Sequence, residues 1–169
     1  EEADSQETTT RESVTSAPLS YAQTGVYFDC LKNPLSTIYN IPCLLTYPEG
    51  TDAHKLAKAV SQVISCHPEM SVYFEAQENG IIQSIASGLS IEIPVCTMSD
   101  DELAAYKKDF VRPFNLQKAP LYRFEVIQTP GTVHLLMDVH HLIFDGGSVD
   151  LFIRQISDVL EEKGVKPET

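Results

Sequence analysis

The stretch from Val139 to Ser148 reads Val-His-His-Leu-Ile-Phe-Asp-Gly-Gly-Ser and joins two patterns of different period. Upstream, residues 132–141 alternate: Val133, Leu135, Met137, Val139 and His141 share one face, while His134, Leu136, Asp138 and His140 share the other. Downstream, Val149, Phe152, Ile153, Ile156, Val159 and Leu160 recur at helical spacing, and Gly164 stands where such a helix would stop. A strand therefore runs into a helix through a short glycine-bearing loop, and the two adjacent histidines point opposite ways. A histidine placed there is held by a rigid strand yet is able to face a cleft, and Asp145 can turn back to fix the loop.

The rest of the chain must supply a core around this junction. At 169 residues it is long enough, since a chain of about 150 residues buries roughly 70% of its unfolded surface in one domain. Its 43% hydrophobic and 21% charged residues suit a globular protein. The net charge of -12 argues against nucleic acid, which requires a basic face, and does not favour an acidic partner. Cys30, Cys43, Cys66 and Cys96 are too far apart for a C-x-x-C pair or a zinc knuckle, so free thiols in a reducing cytosol are expected. No run approaches the ~20 apolar residues of a membrane span, and Glu1 to Ser13 lacks the features of a signal peptide, so a cytoplasmic location is expected.

Residues 1–17, rich in Glu, Ser and Thr, read as a polar linker or tail. Ser20 caps a predicted helix to about Leu31, and Asp52 caps another to about Cys66 that buries Leu56, Val60, Val63 and Ile64; His67-Pro68 ends it. Ser99 and Glu102 form a capping box that opens a third helix over 99–111, and a fourth is expected over 148–162. Strands are expected over 41–47, 71–76, 80–86, 90–96, 121–128 and 132–141, with turns at Asn79-Gly80 and Pro130-Gly131.

His140, His141, Asp145 and Gly146 form the pattern H-H-x-x-x-D-G, which resembles the signature of the condensation domains of nonribosomal peptide synthetases. Other stretches extend the likeness. Leu19-Ser20-Tyr21-Ala22-Gln23 is similar to the opening Ser-x-Ala-Gln motif, and Tyr39-Asn40-Ile41-Pro42 to a stretch found in members that join two L-configured residues. Residues 112–116 resemble a Pro-Phe-Asp-Leu connector, with the likeness continuing through Pro120-Leu121-Tyr122-Arg123. Cys66 to Phe74 lies where the family carries Arg-His-Glu-x-Leu-Arg-Thr-x-Phe; His67, Met70 and Phe74 fit, while Cys66 and Ser71 replace the two arginines. In relatives the second arginine pairs with the motif's Asp, so Asp145 is expected to take another partner, Arg123 or Arg112.

The resemblance implies an α/β fold: a chloramphenicol acetyltransferase-like two-layer sandwich lobe with a mixed sheet flanked by helices. Because family members have two such lobes, residues 18–164 are expected to be the amino-terminal lobe and 165–169 the start of a linker to a second one. It also implies amide-bond formation between a donor acyl or peptidyl thioester and an acceptor aminoacyl thioester, each on the phosphopantetheine arm of a carrier protein. No cofactor is expected to bind directly. A neutral imidazole can accept the amine proton or hold the amine, which points to His141. By resemblance His140 packs behind the strand and Asp145 fixes the turn, while Gly146 and Gly147 admit close approach and the helix start adds N–H donors. A metal site built from Asp138, His140, His141 and Asp145 is disfavoured, because neighbouring strand residues face apart. The expected partners are carrier proteins and the second lobe, and an isolated lobe is expected to be inactive and to self-associate through its exposed inter-lobe face. Two rivals remain: a coenzyme A-dependent acyltransferase of the same superfamily, and an inert docking lobe for carrier proteins.

Overall fold

A computed structural model describes residues 16–162. Their architecture is two antiparallel-rich sheets with four α-helices, built around one long central strand. The larger sheet has the order β2-β7-β6-β5, formed by β2 (Asn40–Tyr47), β5 (Val95–Thr97), β6 (Tyr122–Thr129) and β7 (Thr132–His140). It is mixed: β5 runs parallel to β6, and the other pairs are antiparallel. The smaller sheet, not anticipated as a separate unit, has the order β1-β4-β3, from β1 (Ser16–Pro18), β3 (Val72–Gln77) and β4 (Gly80–Ile85).

Strand β7 is buried over nearly its whole length because helices cover both faces of the larger sheet. On one face α2 (Ala53–Ser65) and α4 (Gly146–Leu160) pack against Val133, Leu135, Met137 and Val139. Leu56, Val60, Val63 and Ile64 are the contacts of α2, as their spacing predicted, and each is worth about 1.5–3 kcal/mol on burial. On the other face α3 (Asp100–Phe110) lays Leu103 and Phe110 on Ile127 and Leu136. Helix α1 (Tyr21–Lys32) closes the end of the molecule, setting Tyr27 against Phe74, Leu121 and Leu142.

Helix starts follow local side-chain chemistry. Ser20 and Gln23, and Ser99 and Glu102, form complete capping boxes, and Asp52 accepts from the N–H groups of His54 and Lys55. Helix α4 begins at Gly146, two residues ahead of expectation, because the Asp145 carboxylate accepts from the Ser148 N–H and so draws both glycines into the first turn. It ends at Leu160, with Glu161 as C-cap, two residues short of expectation; Gly164 lies outside the described residues.

The other departures concern strands. Ser16 and Ala17, expected in the tail, pair with Ser84 and Gln83 of β4; residues 1–15 lie outside the described residues. The strand expected over 90–96 is paired only at Val95–Thr97. Pro94 has no N–H for a ladder, and only its carbonyl is used, by Val126 N–H at 2.9 Å. The β3–β4 turn falls on Glu78-Asn79, with Gly80 opening β4 at φ 128°. Pro130-Gly131 joins β6 to β7 as expected, Gly131 taking the left-handed φ of 82° that the turn demands.

Candidate active site

The end of β7 is held from both sides. The His140 N–H donates to Leu121 O at 2.9 Å, and the His141 N–H donates to Tyr39 O at 2.8 Å. Consecutive N–H groups thus bond in opposite directions, as pleated geometry requires, and the side chains diverge. His140 is only 4% exposed, whereas His141 is exposed just past the strand. His141 borders an open cleft of about 420 Å3 between the starts of α1 and α4, with Ser20, Gln23, Val26, Asp145 and Ser148.

His140 faces the other way. Its Nδ1 accepts from Leu142 N–H at 3.1 Å, which leaves the ring proton on Nε2, 3.7 Å from Cys30 Sγ. The edge of Phe114 meets its ring at 5.9 Å between centroids, and a second cavity of about 430 Å3 opens there beside Cys30 and Tyr27. Burial, aided by the neighbouring His141, lowers the His140 pKa to about 4. His140 is therefore a neutral, fixed ring near pH 7 and not a proton shuttle.

Asp145 accepts from both the N–H and the hydroxyl of Ser148 at 2.8 Å. These bonds, the backbone one first, hold its carboxyl below the usual range, so it is ionised at neutral pH. Neither arginine expected as its partner serves it: Arg123 pairs with Asp138 at 2.8 Å, and Arg112 is seen through its carbonyl, which accepts from Asn40 and Arg123. The expectation failed because an N-cap three residues away is a closer partner than any strand arginine. Ser71, in the position of the family's arginine, lies in the short 3-10 turn Pro68–Ser71, where its carbonyl accepts from Ala86 N–H.

Gly146 is the first residue of α4. A Cβ placed on it would meet nothing within 4 Å, and one on Gly147 would lie 3.5 Å from Asp145 Oδ1, so packing among the described residues does not require either glycine. The first-turn N–H groups of α4 give the cleft a positive helix end beside His141.

Two supports were not anticipated. Gln23 does more than cap α1, since its Nε2 donates to Leu142 O at 3.1 Å and ties the helix to the turn after His141. Its S-x-x-Q spacing signalled the cap but not the long-range bond. His67, at the exit of α2, meets Glu69 Oε1 at 2.7 Å and Gln155 Oε1 of α4 at 2.6 Å, linking the two helices that flank the sheet. Of the four residues considered for a metal, Asp138 and His140 lie on one side of β7 and His141 and Asp145 on the other, and among the described residues no three candidate ligands converge.

The family model described as "Condensation domain" matches residues 13–168. Bacitracin synthase 3 of Bacillus licheniformis is 32% identical over 152 residues, covering 89% of this chain and 2% of the relative. Surfactin synthase subunit 2 of Bacillus subtilis (strain 168) is 29% identical over 145 residues, 85% of this chain and 4% of the relative. In fold, the starter condensation domain of rhizomide synthetase superposes with a TM-score of 0.77 at 24% identity, covering 92% of this chain and 42% of that one. The first condensation domain of the CDA synthetase gives 0.77 at 18%, covering 92% and 43%. The chain thus spans a small fraction of its curated relatives and under half of the solved domains. With the matched model covering nearly all of it, the chain belongs to the condensation-domain family of the nonribosomal peptide synthetases.

Proposed function

We propose that this chain is one lobe of a domain that forms an amide bond between a donor acyl or peptidyl thioester and an acceptor aminoacyl thioester, both delivered on the phosphopantetheine arms of carrier proteins. The observation that carries the reading is His141, alone of the two motif histidines, exposed at the end of a rigid strand and bordering a cleft. In the reaction the acceptor amine attacks the thioester carbonyl, a C–N bond forms, the C–S bond breaks, and the thiol leaves with a proton. His141 accepts the amine proton or holds the amine by a hydrogen bond. Fixing the amine in line with the thioester is itself a large part of the rate.

The other motif residues act through their geometry. Neutral His140 anchors the turn, and Asp145 fixes the start of α4 at Gly146. The protein supplies no resident cofactor in this scheme. Exposed apolar side chains on and after α1, among them Tyr21 at 99%, Leu35 at 85% and Ile38 at 74%, support a contact face for the second lobe. Among the described residues no helix is long and apolar enough to cross a membrane.

The test joins this lobe to the remainder of a condensation domain and supplies two loaded carrier proteins. Mass spectrometry should find the condensed product on the acceptor carrier, and none with the lobe alone. Product from the lobe alone would overturn the half-domain reading. Turnover only with free acyl-coenzyme A and a hydroxyl acceptor would assign the stand-alone acyltransferase chemistry, and carrier binding without turnover would leave a docking lobe.

A further inference from the structure

Directly behind His140 lies a charged group that neither the motif nor the proposed chemistry uses. Asp138 is 0% exposed, and its Oδ2 accepts from Asn40 Nδ2 and from Arg123 Nη1, both at 2.8 Å. Its Oδ1 makes no hydrogen bond of good geometry among the described residues, the Arg112 N–H being the nearby main-chain donor that favours the carboxylate. Arg123 also donates to main chain, from Nη1 to Arg112 O and from Nη2 to Pro113 O, each at 2.9 Å. Its guanidinium stands 3.8 Å over the Phe114 ring, whose edge in turn meets His140. Asn40 donates to Arg112 O as well, at 2.9 Å, and lies opposite His140 in the β2–β7 register.

A buried ion pair with an unfilled carboxylate oxygen is a poor source of stability, and apolar residues of similar volume commonly do as well or better. The α3-covered side of the sheet on which the pair lies mixes apolar Leu44, Ile127 and Leu136 with polar Asn40, His134 and Glu125. Stability alone therefore gives little reason for the pair, whereas directional bonds give a reason of another kind. They lock β2, β6 and the 112–114 connector to one point on β7, two residues before the last residue of the strand.

We propose that Asp138, Arg123 and Asn40 form a brace that positions His141, by fixing the end of β7 and the ring of His140 from the face opposite the cleft. Removing the brace leaves the fold in place but lets the strand end, and with it the His141 imidazole, wander within the cleft. The kinetic side of this inference rests on the function proposed above, and the exchange measurement does not.

The test is the paired variant Arg123→Met with Asp138→Leu, which leaves no unpaired buried charge, made in the protein that carries this lobe in an intact domain. The expected variant has a melting temperature close to wild type. Its His141 and Leu142 amides, bonded to Tyr39 O and His140 Nδ1, exchange about tenfold faster or more. In the condensation assay kcat falls by about tenfold to a hundredfold while KM holds. Arg123→Lys, which keeps the charge but cannot bridge the carboxylate and both carbonyls, should give the same split to a smaller extent. Unchanged exchange at those two amides, or unchanged kcat in a working domain, overturns the brace. If the paired variant fails to fold, Arg123→Lys decides by the same two readings. A wild-type domain without condensation activity would refute the proposed function, and exchange would still decide the brace.

Discussion

Acidification should destabilise this protein in large part through His140. His140 is buried, its Nδ1 already accepts the Leu142 N–H, and its pKa is lowered to about 4 from the ordinary 6.5. Protonating it would break that bond and place a charge in a buried site beside Phe114 and Cys30. Below pH 6.5 the unfolded chain takes up this proton and the folded chain does not, so stability falls with pH through that window and levels off below about 4. The gap of about 2.5 pH units corresponds to about 3 kcal/mol in full and about 2.5 kcal/mol at pH 4.5. Urea unfolding of wild type and His140→Leu between pH 7 and 4.5 would measure it, because the carboxylates titrate alike in both proteins. The wild-type loss should exceed that of the variant by about 2.5 kcal/mol. Parallel curves, or a wild-type imidazole that titrates by NMR near 6.5, would refute a buried, neutral His140.

Other consequences follow from single contacts. Asp145→Ala should cost about 1 kcal/mol in chemical denaturation by removing the α4 cap, and Asp145→Asn much less, since an amide oxygen can still accept from Ser148 N–H. Leu56→Ala, which empties a fully buried site between α2 and the sheet, should cost about 2–5 kcal/mol by the same measurement. The lobe in isolation should self-associate in light scattering through the apolar side chains at Tyr21, Leu35 and Ile38, and Leu35→Glu with Ile38→Glu should suppress this without lowering the melting temperature.

What was legible in the sequence divides by range. Caps at Ser20, Asp52 and Ser99 were readable because donor and acceptor lie within three residues, and α2 because one helix carries its own apolar stripe. The opposed faces of His140 and His141 followed from the strand period alone. Contacts set by distant partners were not readable. Strand β1 exists only because β4 is there to pair with it, and the Ser90–Pro94 segment packs Ile91 and Ile93 without joining a ladder. Arg123 was matched to the wrong carboxylate for the same reason: its true partner, Asp138, is directly opposite in the β6–β7 register, a relation that emerges only once the sheet is aligned. Asn40 was placed within a motif, yet its bond to that carboxylate also required β2 beside β7.

The central claim is that His141, and not its neighbour, meets the reacting amine. Single-turnover condensation between two loaded carrier proteins, catalysed by the intact domain carrying His141→Ala, tests it most directly. A loss of about a hundredfold or more is expected, with an unchanged melting temperature. Wild-type turnover in that variant would contradict it.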